Sequence, residues 1–251
     1  MLQNKAVAEL IGSDLLCAHD FDFSCDTCRM RVLCLPAALD SDHLTALESI
    51  IDHRRALKSG EDLYLQNEPF TSLYAVLSGG IKTFTSHEDG WVRINGCHMA
   101  GEIFGYSGID GGYYRSSAKA LEDSALCEIP FDDLEKLCRA IPDLQSRLFH
   151  LMSRRLVEDH ELAAQFLHKR PARRRVAAFL LSLSTRSARR GESATPLRLP
   201  MSRTDIGNYL GVTLETVCRE LARLEKHGII TLEKRDLTIL DIDQIFDLKM
   251  R

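Results

Sequence analysis

Residues 202–240 constrain the fold more than any other part of the chain. Ser202-Arg203-Thr204-Asp205 is a capping box that starts a helix through residue 210, and Gly211-Val212 supplies a tight turn. Thr213 caps a second helix, over about residues 214–227, that turns Val217, Leu221 and Leu224 inward until Gly228 stops it. Two helices across a short glycine-containing turn predict a helix-turn-helix. Residues 229–232 and 237–240, around Lys234-Arg235-Asp236, predict a wing hairpin beside it.

In such a unit the first turns of the second helix enter the major groove of DNA. Glu215, Thr216, Cys218 and Arg219 are therefore the candidates to reach bases or phosphates, with Ser202 and Arg203 at the start of the first helix beside them. Arg219 can bind O6 and N7 of guanine bidentately, and Glu215 can accept from a cytosine amino group. The same two side chains can also pair with each other at i,i+4. A net charge of −4 looks unsuited to a nucleic-acid binder until its distribution is read. Lys169, Arg170, Arg173, Arg174, Arg175, Arg186, Arg189, Arg190, Arg198 and Arg203 face almost no local acid beyond Glu192, which predicts positive charge where a phosphate backbone can be met.

Near the other end, Cys25, Cys28 and Cys34 follow a C-x2-C-x5-C spacing. It puts three thiolates on one short loop, able to take three corners of a tetrahedral metal site or of an iron–sulfur cluster. A fourth ligand has to come from elsewhere. A metal-bearing segment joined to a DNA-reading one predicts a sensor that converts the state of its centre into transcription.

The chain has eight cysteines, no apolar run of bilayer length, and no signal-peptide layout at Met1-Leu2-Gln3-Asn4-Lys5. Cytoplasmic location is expected, with no membrane partner and with cysteines acting as thiols or ligands rather than as a disulfide framework. Cys17, Cys97 and Cys138 are expected to be ordinary small apolar residues, and the histidines show no paired metal spacing.

Between the two ends, residues 37–57 read as one or two short helices. From 63 to 129, short apolar runs alternate with turns such as Ser78-Gly79-Gly80 and Glu88-Asp89-Gly90, the pattern of an antiparallel roll or barrel. Pro142 then opens a long helix to about residue 170, where Pro171 breaks it. Phe149, Met152, Leu156, Asp159, Ala163 and Phe166 follow each other at steps of three and four, the seam of a two-stranded coiled coil, so they are the candidate dimer interface. Leu144, Leu148, Leu151 and Leu162 form a second stripe that can pack on the helix's own domain. At the seam two Asp159 carboxylates about 5 Å apart would repel by roughly 3 kcal/mol at an effective dielectric of about 20.

These motifs together give a chain that resembles the oxygen-responsive FNR regulators of the CRP/FNR superfamily. The resemblance runs from about Cys25 to Ile239. It is most specific in the cysteine loop, in Cys127-Glu128-Ile129-Pro130-Phe131, and in Asp205-Ile206-Gly207-Asn208-Tyr209-Leu210-Gly211-Val212-Thr213-Leu214-Glu215-Thr216. It implies an α+β fold in four parts: a cluster-bearing cysteine loop (1–40), an antiparallel β-roll of the cyclic-nucleotide-binding kind as sensor (41–141), a dimerisation helix (142–170) and a C-terminal winged helix-turn-helix (171–251). It also implies that Cys25, Cys28, Cys34 and Cys127 ligate an oxygen-labile [4Fe-4S] cluster, one per subunit, that supports a homodimer on two-fold symmetric DNA and controls anaerobic gene expression. Oxygen would convert the cluster to [2Fe-2S], weaken the dimer and release DNA. Contact with RNA polymerase is implied too, with the turn His87-Glu88-Asp89-Gly90-Trp91 as a candidate.

Three departures from the family pattern stand out. Cys218 replaces the usual Ser of the E-x-x-S-R reading motif, which bears on the outer bases of a TTGAT-type half-site. Arg29 follows the second cysteine, where a cation can shift a cluster's potential. Gly105 is followed by Tyr106 rather than Glu, and Arg115-Ser116 lies one position early, so the nucleotide pocket of the cyclic-nucleotide branch is expected to be lost. Phe104, Tyr106, Tyr113 and Tyr114 are expected to pack the roll and its turns rather than line a pocket.

Two other functions remain compatible with the residues. One is a CRP-like regulator with a structural four-cysteine zinc site and a small-molecule effector. The other is a thiol-redox enzyme using Cys25 and Cys28 as a C-x-x-C pair. The second lacks a thioredoxin-like βαβ context and has no use for a DNA-reading helix, so a regulator rather than an enzyme is expected.

Overall fold

The computed structural model describes residues 24–51, 53–167 and 170–250. Cys17 and Lys169 lie outside the described residues, as do the side chains of Leu162 and Phe166. The cysteine loop leads through a 3-10 turn, Leu35–Ala38, into helix α1, Ser41–Ile50, whose first turn is capped by Asp40 accepting from the backbone N–H of His43. The chain then enters strand β1, His53–Leu57, so the helical reading of 37–57 holds only for its first part. This charged stretch has no local strand signature; antiparallel pairing with Ser124–Pro130 makes it one.

The roll consists of β1 with β2 (Asp62–Tyr64), β3 (Ser72–Ser78), β4 (Gly80–Ser86), β5 (Val92–Met99), β6 (Ile103–Phe104), β7 (Ser117–Ala120) and β8 (Ser124–Pro130). They form two four-stranded antiparallel sheets, ordered β1-β8-β3-β6 and β2-β7-β4-β5. Gly79, at φ 78° between β3 and β4, has no substitute, because a Cβ there would lie 2.3 Å from Ser124 Oγ. Inside the roll, Tyr64, Tyr74, Phe104 and Tyr114 stack together, the rings of Tyr64 and Tyr114 only 3.8 Å apart. Tyr113 stays on the surface, and Tyr106 packs against the core outside the roll.

That outer core joins the back of the first sheet to three helices. Leu73, Ala75, Cys127 and Ile129 meet Leu47 of α1, Leu134 and Cys138 of α2 (Phe131–Ala140), and Leu144, Leu148 and Leu151 of α3 (Pro142–Leu167). Each such leucine contributes about 1.5–3 kcal/mol by leaving water, which fixes the rotation of α3 on the roll. The opposite face of α3 is uncovered: Phe149 is 58% exposed and Leu156 57%. No helix among the described residues is long and apolar enough to cross a membrane.

The remaining chain forms α4 (Ala172–Arg189), β9 (Leu197–Arg198), α5 (Arg203–Leu210), α6 (Leu214–Lys226), β10 (Ile230–Glu233), β11 (Asp236–Ile239) and α7 (Ile242–Met250). Its core takes in Ile94, Cys97 and Met99 from β5, so the roll and the helix-turn-helix share one apolar contact.

Candidate metal centre and DNA-reading face

Alternation along β8 places the fourth cysteine. Leu126 belongs to the roll interior, whereas Cys127 and Ile129 belong to the outer core beneath the cysteine loop. The loop is folded by its own backbone, with the N–H of Arg31 donating to Cys28 and those of Leu33 and Cys34 both donating to Met30, each at 3.0 Å. It is tied at both ends. The Ser24 hydroxyl and the Cys25 backbone N–H donate to Glu48 of α1, and the Arg147 guanidinium of α3 donates to the carbonyls of Val32, Leu33 and Cys34. Leu33 lies over Gly101, where a Cβ would come within 2.8 Å of its Cδ1. Sequence reasoning found neither Glu48 nor Arg147, since nothing in their local sequence marks them.

Cys25, Cys28, Cys34 and Cys127 line one pocket, walled by Leu35, Leu47, Ala75 and Ile129. Burial pushes the Cys34 thiol up to about 12, with its three neighbouring cysteines adding to the rise against a backbone hydrogen bond from Leu35. A bound metal's positive charge favours the ionised form of the buried Cys34 sulfur. Among the described residues no three His, Cys, Asp or Glu side chains are placed to hold a single metal ion. Four soft sulfur donors lining one apolar pocket suit a thiolate-held centre such as an iron–sulfur cluster. Arg31, rather than Arg29, lines this pocket. Arg29 is exposed and helps Arg190 hold the Glu192 carboxyl below its ordinary value.

On the DNA-reading side, Ser202 Oγ accepts from the Asp205 backbone N–H and donates to the Asp205 carboxylate, so its hydroxyl serves the cap of α5. Arg203 donates to the Lys234 carbonyl at 2.9 Å and ties α5 to the wing. Gly211 turns the chain at φ 62°, and Thr213 caps α6 by accepting from Thr216. Glu215, Cys218 and Arg219 are exposed on α6 and Thr216 is half-buried. Arg219 reaches the Thr216 hydroxyl and lies 3.8 Å from Glu220. Among the described residues the i,i+4 pair with Glu215 does not form. The Glu215 carboxyl is held below its ordinary value by its own backbone N–H and by Thr213, so it is ionised at neutral pH.

The run of arginines is less available to DNA than its sequence suggests. Arg186 pairs with Glu102, Arg189 with Glu158, Arg190 with Glu192 and Arg198 with Glu122, while Arg175 donates to the Leu210 and Gly211 carbonyls. Glu102, Glu122 and Glu158 come from distant parts of the chain. On α3, Phe149 and Leu156 of the expected seam are exposed together with Val157, whereas Met152 leans on the outer core between the roll and its helices. Ala163 is exposed. Asp159 is also exposed and is held by Arg155, one turn back, through two contacts of 2.8 and 3.2 Å.

Comparison with known proteins gives a consistent set of matches. The family model described as Crp-like helix-turn-helix domain matches residues 174–247, and that of the cyclic nucleotide-binding domain matches 54–140. The transcriptional activator protein anr of Pseudomonas aeruginosa is 42% identical over 217 residues, covering 86% of this chain and 88% of the relative. The fumarate and nitrate reduction regulatory protein of Escherichia coli is 37% identical over 248 residues, 99% of this chain and 97% of the relative. Among solved structures, FixK2 from Bradyrhizobium japonicum superposes with a TM-score of 0.70 at 29% identity, over 78% of this chain and 96% of that one.

Proposed function

Because the chain belongs to the FNR-type regulators of the CRP/FNR superfamily, we propose that it senses oxygen through a [4Fe-4S] cluster held by Cys25, Cys28, Cys34 and Cys127, one per subunit. It is an oxygen-responsive, DNA-binding transcription regulator and not an enzyme. One observation carries the cluster assignment: Cys127, delivered by β8, shares its apolar pocket with all three loop cysteines. When bound, the cluster supplies a centre that oxygen degrades. The chain's own residues supply the rest. Four thiolates would hold it, Leu35, Leu47 and Ile129 would limit water, and Glu48 holds the start of the loop.

The uncovered stripe of Phe149, Leu156 and Val157 on α3 is covered by the same stripe of a second copy, and the resulting homodimer places two α6 helices on a two-fold symmetric site in DNA. There Glu215, Thr216, Cys218 and Arg219 read bases and Arg203 meets the backbone. Ser202 acts by capping α5. Trp91, half exposed in the turn closed by the His87 N–H donating to the Trp91 carbonyl, offers an apolar contact to RNA polymerase. The protein works in the cytoplasm, where its DNA is.

Anaerobic purification with iron, sulfide and zinc analysis tests the reading. About four irons and four sulfides per chain are expected, with visible absorption that air bleaches. Serine at any one of the four cysteines should remove the cluster and anaerobic DNA binding. Colourless protein with stoichiometric zinc overturns the assignment. Full iron content in Cys127→Ser would remove Cys127 from the ligand set.

A further inference from the structure

We propose that Arg147 is the positioning residue through which the state of the cysteine loop reaches α3 and its uncovered stripe; this rests on the function proposed above. The guanidinium donates to three successive carbonyls, from Nε to Cys34 at 3.0 Å and from Nη2 to Leu33 at 2.7 Å and Val32 at 3.2 Å. Three consecutive carbonyls converge on one point only because the loop is turned back at Met30, where the N–H groups of Leu33 and Cys34 both end. Arg147 therefore reads the backbone shape around the last loop cysteine.

Residue type matters here. A planar guanidinium offers several donors in a fixed fork and satisfies converging acceptors together, whereas an ammonium is a point charge on a flexible stem. The contact also has a defined output. Arg147 sits between Leu144 and Leu148, which are buried on the roll, and two residues before Phe149, which is exposed on the other face. A loop that opens withdraws three acceptors from a half-buried cation, and the start of α3 must move to resolvate it. Because α3 is one continuous helix from Pro142 to Leu167, a shift at its start carries Phe149 and Leu156 with it. Glu48 ties only the beginning of the loop, and to α1, so it holds no part of α3 directly.

The test uses full-length Arg147→Gln and Arg147→Lys, cluster-loaded without oxygen and then exposed to air. Iron and sulfide per chain, the dimer dissociation constant by sedimentation, and DNA affinity are measured in both states. Both variants should keep wild-type iron and sulfide. In loaded protein Arg147→Gln should raise the dimer dissociation constant about tenfold, and Arg147→Lys by less. Neither should change the air-treated protein, a distinction that a general loss of stability would not produce. An unchanged dimer in loaded Arg147→Gln overturns the proposal, as does iron lost in step with dimer, or equal weakening in air. Wild-type protein that takes up no iron overturns the functional reading and this proposal with it, an outcome separate from an unresponsive variant of an iron-loaded wild type.

Discussion

Arg186 grips Glu102 with two guanidinium nitrogens, Nε at 2.6 Å and Nη2 at 2.5 Å, and Nη2 also donates to the Cys97 carbonyl at 2.7 Å. Arg186 belongs to α4 of the DNA-reading half, and Glu102 to the turn between β5 and β6 of the roll. The pair is therefore a charged bolt between sensor and reader, with Arg186 buried.

Removing one partner of such a pair leaves a charge without compensation. Glu102→Gln should cost about 3 kcal/mol of stability in urea unfolding. The double change Glu102→Leu with Arg186→Met should cost less than that single change, since it removes the stranded charge. A double variant less stable than Glu102→Gln would contradict the bolt.

A second contact between the halves responds to acid. Lys82 of β4 meets Asp205 of α5 at 2.7 Å, beside Asn208, whose amide donates to Val92 and accepts from Ile94 on edge strand β5. Burial alone would raise the Asp205 carboxyl, but hydrogen bonds from Lys82 and Ser202 outweigh it and hold it below its ordinary value. The stabilisation is thus complete above the ordinary aspartate range and is lost as pH falls through the lowered value. Lys82→Met should shift loss of the roll-to-reader contact to higher pH, as followed by the fluorescence of Trp91 near β5. Identical acid profiles for wild type and variant would show that the contact contributes nothing.

Arg219→Ala should lower affinity for the preferred DNA site by about 1–3 kcal/mol and relax selection at one guanine, as a bidentate base contact requires. Arg173→Ala, a change of an exposed cation on α4, should weaken all sequences alike. Selection from random DNA gives the answer for Arg219, where an unchanged preferred site would refute base reading. Cys218→Ser restores a hydroxyl donor on the exposed face of α6 and should sharpen preference at the outer bases of the half-site.

Asp159→Ala should yield a protein that dimerises and binds DNA in air without a cluster, because it removes a carboxylate pair from the seam and leaves a small apolar residue. The clasp from Arg155 softens that repulsion, so Arg155→Ala should act in the opposite direction and weaken the loaded dimer. Sedimentation of Asp159→Ala in air and of cluster-loaded Arg155→Ala without oxygen decides the matter; a monomeric Asp159→Ala would place Asp159 away from the partner helix.

The DNA-reading unit was legible in the sequence because its signals are local. Ser202 and Thr213 accept from the backbone N–H three residues on, Gly211 takes a left-handed turn, and Val217, Leu221 and Leu224 share one buried face. The three loop cysteines were legible for the same reason, by adjacency. Cys127 was reached only through resemblance, since no spacing rule links a residue on β8 to a loop so far back in the chain. The strand β1 was misread as helix because pairing with β8, not composition, settles its backbone.

By itself, then, the sequence determined caps, turns, helical period and the kinds of side chain available for chemistry, all properties of neighbours a few residues apart. Tertiary structure alone decided which arginines are free for DNA and which are spent on Glu102, Glu122 and Glu158, and which cation closes on the cysteine loop. It also decided that Met152 leans inward while Val157 joins the exposed stripe. Charge interactions and shared pockets depend on distances of a few ångströms, and those exist only once sheets and helices from remote parts of the chain have packed.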